Sequence, residues 1–233
     1  TRLAVSQDQS FFVSSSHDGT CKVFEMRQLR ESSGTLKSCL TMSEETGAPF
    51  KVNDVNIIEN SHSIASANSD GSIRVWRIDE STSKPTNLVT NSASIPSTAR
   101  FSRVSGSQML RKVEAHEGEI SCVSHFNTNS ASIILFASQM GVHSWDLRCA
   151  KEPFVLSSSP EIGYVTSMSV GNDRNWLCTG TNTGKIGLWD IRFHRCVKLW
   201  QHSSCAPINR LGASFANLSK KDSPSPHIVV GTG

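Results

Sequence analysis

Four side chains of zinc-binding type fall within twelve positions: His194, Cys196, His202 and Cys205. Imidazole nitrogen and thiolate sulfur are the preferred donors to a tetrahedral zinc ion. The spacings H-x-C and H-x-x-C match no common zinc module, and Cys196-Val197-Lys198-Leu199-Trp200 alternates as an outer strand does. We therefore expect no metal there. Gly180-Thr181-Asn182-Thr183-Gly184-Lys185 superficially resembles a phosphate-cradling loop. It lacks the GxxxxGKS/T spacing, and no helix is expected after it to aim backbone amides at a phosphate, so it reads as a turn. No GxSxG, HExxH or DFG and HRD set is present. The seven cysteines include no CxxC and several lie in strand-like runs, which favours free thiols over a disulfide framework. The expected catalytic residues, cofactor-binding residues and cofactors are accordingly none.

Composition narrows the class of fold. Of 233 residues, 37% are hydrophobic and 18% charged; Ser, Thr and Asn fill the difference, favouring strands and turns over charged helices. The net charge, 23 − 20 = +3, is too small a bias for a nucleic-acid binder, and none is expected as a partner. The longest apolar run, Ile133-Ile134-Leu135-Phe136-Ala137, falls far short of the ~20 residues of a membrane helix, so direct membrane insertion is not expected. The chain opens on a strand-like Thr1-Arg2-Leu3-Ala4-Val5 without an initiator Met and is expected to be an internal piece of a longer protein.

These residues sit on a repeat. Asp18-Gly19-Thr20-Cys21-Lys22-Val23-Phe24-Glu25 is echoed by Asp70-Gly71-Ser72-Ile73-Arg74-Val75-Trp76-Arg77. Met140-Gly141-Val142-His143-Ser144-Trp145-Asp146 and Thr183-Gly184-Lys185-Ile186-Gly187-Leu188-Trp189-Asp190 follow. Each unit is a Gly turn, an alternating strand and an aromatic anchor. The anchors lie 76 − 24 = 52, 145 − 76 = 69 and 189 − 145 = 44 residues apart. The last interval matches the ~40–45-residue period of a four-stranded propeller blade, and the longest is that period plus an insertion. Two strand-like runs precede each Gly turn and a weaker one follows each anchor. The expected repeats cover about 1–47, 48–114, 115–160 and 161–203. A fifth, 204–233, stops before its Gly turn. Residues 79–108 read as a blade insertion, and 216–227, with Ser223 and Ser225 before prolines, as a surface loop.

The pattern resembles the WD-repeat family. There a Trp on the third strand, a Ser or Thr on the second, an Asp in the turn and a His before the first strand form a hydrogen-bonded set. A buried indole N–H left unpaired costs ~1–3 kcal/mol. The resemblance makes Ser16, Asp18, Phe24, Asp70, Trp76, His116, Trp145, Asp146, Trp189 and Asp190 the structural positions of the blades. The set is incomplete: Phe24 has no N–H, Thr183 replaces one Asp, and Gln139 replaces another. The expected fold is all-β, a partial WD40-type β-propeller of about four and a half blades forming an open arc.

A narrower resemblance rests on several runs. They are Asn175-Trp176-Leu177-Cys178-Thr179-Gly180, Leu188-Trp189-Asp190-Ile191-Arg192-Phe193, Ser16-His17-Asp18-Gly19-Thr20, His125-Phe126-Asn127 and Trp145-Asp146-Leu147-Arg148. From residue 1 to about 215 the chain is similar to the C-terminal propellers of the protein-kinase-like regulatory subunits of class III phosphatidylinositol 3-kinase complexes. The resemblance implies a non-catalytic scaffold in endosomal sorting and autophagy. Its implied partners are the lipid kinase catalytic subunit and a Beclin-type subunit. Its implied location is cytoplasmic, peripheral at endosomal or autophagic membranes, with any serine/threonine kinase-like domain outside this chain. Two alternatives stay open: a scaffold of another complex, such as a ubiquitin-ligase substrate receptor, and a phosphoinositide-binding propeller. The second relies on adjacent arginines, and this chain has none; Ile191-Arg192-Phe193-His194-Arg195 is its nearest basic cluster.

Overall fold

A computed structural model describes residues 2–31, 34–44, 49–82, 102–115, 117–139, 141–149, 151–214 and 227–232. Sheet one holds β1 (Arg2–Val5), β2 (Phe11–Ser15), β3 (Cys21–Glu25) and β4 (Leu40–Met42). Sheet two holds β5 (Val52–Ile57), β6 (Ser63–Asn68), β7 (Ser72–Thr82) and β8 (Ser102–Glu114). Sheet three holds β9 (Cys122–Asn127), β10 (Ser132–Ala137), β11 (Gly141–Asp146) and β12 (Val155–Ser157). Sheet four holds β13 (Val165–Val170), β14 (Trp176–Thr181), β15 (Lys185–Asp190) and β16 (Arg195–Gln201). β17 (Ile208–Ser214) and β18 (His227–Thr232) form a two-stranded fifth sheet. All pairings are antiparallel between chain neighbours, so each sheet is a meander. One helical turn, α1 (Gln28–Glu31), and a 3-10 turn at Pro160–Ile162 interrupt the β pattern.

The inner strands β1, β5, β9, β13 and β17 stand side by side in that order. The core lies between successive sheets, which explains the sequence of the second strands. Along β10, Ile133, Leu135 and Ala137 face sheet four with Leu177 and Trp189, while Ile134 and Phe136 face sheet two with Ile73 and Val75. Buried on both faces, that strand is a continuous apolar run; burial of each such side chain contributes ~1.5–3 kcal/mol. In sheet one, Phe11 and Val13 of β2 are buried toward sheet two while Phe12 and Ser14 are half-buried, so β2 alternates.

Backbone and hydroxyl groups tie the sheets together. The Val52 N–H donates to Ser16 O at 3.1 Å and the Ile120 N–H to Asn68 O at 3.2 Å. Ser121 Oγ donates to Val165 O at 2.5 Å, and Thr166 Oγ1 to Ile208 O at 2.6 Å.

Several sequence expectations change. The weaker strand that follows the first anchor is three residues long, Leu40–Met42. Of the segment 79–108 read as an insertion, 79–82 and 102–108 continue the β7–β8 hairpin through the pair Thr82↔Ser102; bulges after Val75 and Asp79 absorb the twist of so long a ribbon. Residues 83–101 lie outside the described residues, as does the segment 216–227 except His227 at the start of β18.

Candidate functional site: blade anchors and the clamps between blades

The repeat's register aligns four sites. Trp189 faces Leu177 and Gly187 faces Thr179; Trp145 faces Ile134 and His143 faces Phe136. Trp76 faces Ile64 and Arg74 faces Ser66; Phe24 faces Phe12 and Lys22 faces Ser14. Two residues before each anchor therefore stand Lys22, Arg74, His143 and Gly187 in equivalent places.

Sheet four completes the indole bond. Trp189 is buried and its Nε1 donates to Thr179 Oγ1 at 2.9 Å. Gly187 makes this possible, because a Cβ there would lie 2.9 Å from both Thr179 Oγ1 and Trp189 Nε1. Sheet three uses the same space differently. Phe136 replaces the hydroxyl residue, and the His143 ring stacks on it with centroids 5.3 Å apart. The Trp145 Nε1 is buried and, among the described residues, has no hydrogen-bond partner. His143 Nδ1 lies 2.6 Å from Glu152 and Nε2 2.6 Å from Glu117. Ser138 Oγ also donates to Glu117. In sheet two the buried Arg74 bridges Glu44 at 2.5 Å and Asp70 at 2.8 Å and lies 3.9 Å over the Phe50 ring. Glu44 and Phe50 flank the connection from sheet one, so Arg74 clamps two sheets together. In sheet one Phe24 stacks on Phe12 at 4.9 Å.

The turn acids serve turns. Asp18 Oδ1 accepts the Thr20 N–H at 2.9 Å and its hydroxyl at 2.7 Å, which hold the carboxyl below the usual range. Ser16 lies just beyond β2, and its Oγ accepts the Asp18 N–H at 3.4 Å. Asp70 accepts the Ser72 N–H and hydroxyl as well as Arg74. Asp146 accepts the Arg148 N–H and Asp190 the Arg192 N–H, both at 2.9 Å. The hydrogen-bonded set implied by the resemblance is thus reduced, among the described residues, to Trp189 with Thr179. His116 lies outside them. The residues that the sequence reading passed over are Arg74, His143 and their carboxylates. Their signal was the shared offset of Lys22, Arg74 and His143 from the anchors.

Of the four possible zinc ligands, His194 stacks on Phe154 at 4.7 Å and His202 Nδ1 meets Ser204 Oγ at 2.8 Å. Cys196 is half-buried and Cys205 exposed. Among the described residues no group of three or more His, Cys, Asp or Glu side chains is placed to hold a metal ion.

At the far ends of the inner strands, a cleft of about 330 Å³ is bordered by Asn56, Glu59, His125, Arg174 and Arg210. Glu59 accepts the Asn127 N–H at 2.9 Å and Arg174 at 3.0 Å. His125 Nδ1 accepts the Glu59 N–H at 3.0 Å, which leaves the proton on Nε2 to be donated to Ser132 Oγ at 2.9 Å. Burial, assisted by Arg174, pushes His125 down to about 4. With Nδ1 occupied and Nε2 protonated, the imidazole cannot withdraw the Ser132 proton, so this His–Ser pair is a tether and not a nucleophile with its base. One more carboxylate gathers charges from separate sheets. Asp54 is buried, its Oδ2 accepts the Val123 N–H at 3.0 Å, and its Oδ1 lies 3.9 Å from Arg2 and 3.6 Å from Arg210. Burial raises its pKa in spite of those partners.

The WD domain, G-beta repeat family matches residues 1–25, 37–77 and 153–190. The chain is 32% identical over 192 residues to the probable serine/threonine-protein kinase vps15 of Dictyostelium discoideum, covering 82% of this chain and 9% of that protein. It is 30% identical over an alignment of 236 residues to the serine/threonine-protein kinase VPS15 of Arabidopsis thaliana, covering 99% of this chain and 15% of that protein. A putative serine/threonine-protein kinase VPS15 of Komagataella pastoris is 26% identical over 212 residues, 91% of this chain and 15% of that protein. The chain therefore spans only a small part of these relatives. The crystal structure of RRP9 WD40 repeats superposes with a TM-score of 0.60 at 14% identity, covering 85% of this chain and 48% of that one, which shows the fold alone. The chain carries WD40 repeats on a propeller fold, and over most of its length it is similar to the VPS15 serine/threonine-protein kinases.

Proposed function

We propose that this chain is a non-catalytic protein-interaction scaffold, the propeller part of the regulatory subunit of a class III phosphatidylinositol 3-kinase complex. The observation that carries the reading is similarity along most of the chain to VPS15-named kinases from three organisms, on a repeat fold whose polar clusters are spent on holding blades together. The lipid kinase catalytic subunit and a Beclin-type subunit are the proposed partners, in endosomal sorting and autophagy. Any protein kinase activity belongs to other parts of the parent protein. No helix among the described residues is long and apolar enough to cross a membrane, and the proposed membrane association is peripheral, through the complex. The division into repeats at about 1–47, 48–114, 115–160, 161–203 and 204–233 belongs to the same proposal.

Affinity purification of the parent protein tests it. Recovery of a lipid kinase subunit and a coiled-coil Beclin-type subunit, lost when residues 1–233 are deleted, is the expected result. Recovery of a ubiquitin ligase in their place would establish the alternative scaffold. Stoichiometric binding of the chain alone to phosphoinositide vesicles would establish the lipid-binding one.

A further inference from the structure

The outer edge of sheet four differs from the other outer edges. Outer strands β4 and β12 are three residues long, and β8 sets Lys112 and Glu114 side by side in an ion pair. Short strands and mixed charge are how natural sheets discourage edge-to-edge pairing. β16 is seven residues long, and among the described residues it pairs only with β15. It also exposes apolar surface. Val197 is 63% exposed, Leu199 and Trp200 are each 41% exposed, and Phe193 in the preceding turn is 73% exposed.

The register sorts these side chains by face. Lys198 pairs with Leu188 and Trp200 with Ile186, Cys196 with Trp189 and Arg195 with Asp190. The irregularity between Leu188 and Trp189 leaves Val197 unpaired, and that extra residue brings Arg195 and Lys198 onto the same face. Leu199, opposite Gly187, stands on the other face with Cys196. Arg192, Arg195 and Lys198 stand near two carboxylates, Asp190, which Arg192 holds at 2.7 Å, and Asp173, whose charge also acts on Arg192. Lys198 lies 5.2 Å over the Trp200 ring, keeping its charge beside apolar surface.

We propose that β16 is a docking edge for an extended segment of another protein that alternates apolar and acidic residues. The incoming strand pairs with the free backbone groups of β16. Its acidic residues fall beside Arg195 and Lys198, and its apolar residues fall beside Leu199 on the other face. The same charges exclude a second copy of this chain, because pairing β16 with itself juxtaposes like cations. The proposal rests on reading the chain as a scaffold, but not on which assembly it serves.

The test uses the 233-residue chain and an octapeptide of alternating glutamate and valine, capped at both ends. Binding is read by tryptophan fluorescence and by hydrogen exchange of the β16 amides. The expected result is saturable binding that protects β16 and weakens with salt. Binding should fall about tenfold or more in an Arg195→Glu, Lys198→Glu variant, which gains affinity for the lysine–valine counterpart. Alternate N-methylation of the peptide backbone should abolish binding, since strand pairing needs its N–H groups. Because those side chains are exposed, the variant should fold, and its unfolding transition checks this. Failure of the acidic peptide to bind, binding insensitive to charge reversal, or equal binding of the N-methylated peptide overturns the proposal. So does binding of phosphatidylserine vesicles in preference to the peptide. If the peptide fails while the lipid kinase subunit still copurifies with the parent, the docking edge falls and the scaffold reading stands.

Discussion

Sheets three and four solve the same packing problem with opposite chemistry. In sheet four a glycine makes room, and a buried indole donates to a threonine hydroxyl. In sheet three a histidine fills that room, stacks on Phe136 and recruits Glu117 and Glu152, while the indole of Trp145 has no acceptor among the described residues. Sheet two is a variant of the second solution, with Arg74 in the histidine's place. The first device is neutral and confined to one blade. The second sets a basic side chain against carboxylates, and in sheet two it reaches carboxylate and aromatic groups at the junction with the preceding blade. Loss of the indole bond in sheet three thus accompanies gain of a tie to carboxylates.

If this contrast is correct, the largest effect belongs to Trp189. Trp189→Ala should cost ~3–5 kcal/mol, as for other buried aromatics, and a shift below about 1 kcal/mol in denaturant unfolding would show that the anchor is not buried. Sheet three should contribute to the pH dependence. His125, on β9, is held near 4 when folded against 6.5 as its ordinary value, so the unfolded chain binds the extra proton between those values. Its contribution to stability is full above pH 6.5 and is lost as pH falls toward 4, on the order of 3 kcal/mol in all. His125→Gln should flatten that slope, whereas Thr179→Val in sheet four should leave it intact; a slope unchanged in the first variant would refute the assignment.

Smaller changes sharpen the comparison. Gly187→Ala should destabilise by ~1–3 kcal/mol, because its Cβ would push against Thr179 and Trp189. A stability equal to that of the unaltered chain would mean the contact can relax freely. Replacing Trp189 with Phe should cost about 1 kcal/mol beyond lost packing, whereas Trp145→Phe should cost nothing for the N–H, whose desolvation is uncompensated already. Grafting the sheet-four pattern onto sheet three is the finest test. Phe136→Thr and His143→Gly should each destabilise alone, yet together show a favourable coupling of roughly 0.5–3 kcal/mol as Trp145 gains an acceptor. Strict additivity would count against the idea that these two positions exchange one device for the other.

The sequence showed its meander readily. Alternation in β2, the doubly buried run of β10 and the offset of Phe24, Trp76 and Trp189 from their turns are all local, and local periodicity survives in a one-dimensional reading. One repeat was aligned a step out. Gly19, Gly71 and Gly184 precede their anchors by five residues and take φ of 84°, 78° and 76°, but Gly141 precedes Trp145 by four and begins β11. Its role is close approach, since a Cβ there would lie 2.4 Å from Leu156 O. The clamps were harder to foresee because their partners are remote. Glu44 lies thirty residues from Arg74 and Glu117 twenty-six from His143, and only the stacking of sheets brings them together. The β7–β8 extension was hidden because polar residues of a long ribbon do not differ in composition from those of a loop.

The carboxylate of Asp54 has a consequence for cooperativity. Repeats that touch only their neighbours unfold as a chain of nearly independent units, with terminal repeats fraying first. Asp54 is bound from sheet three by the Val123 amide and approached by Arg2 of sheet one and Arg210 of sheet five. Arg210 skips two intervening sheets to reach it, closing a loop of 210 − 54 = 156 residues. Such a contact adds little energy at a half-exposed arginine, but it correlates the opening of sheets that are not adjacent. Hydrogen exchange in β1 and β17 should therefore accelerate together in Asp54→Asn, where a nearest-neighbour array would let each edge open on its own.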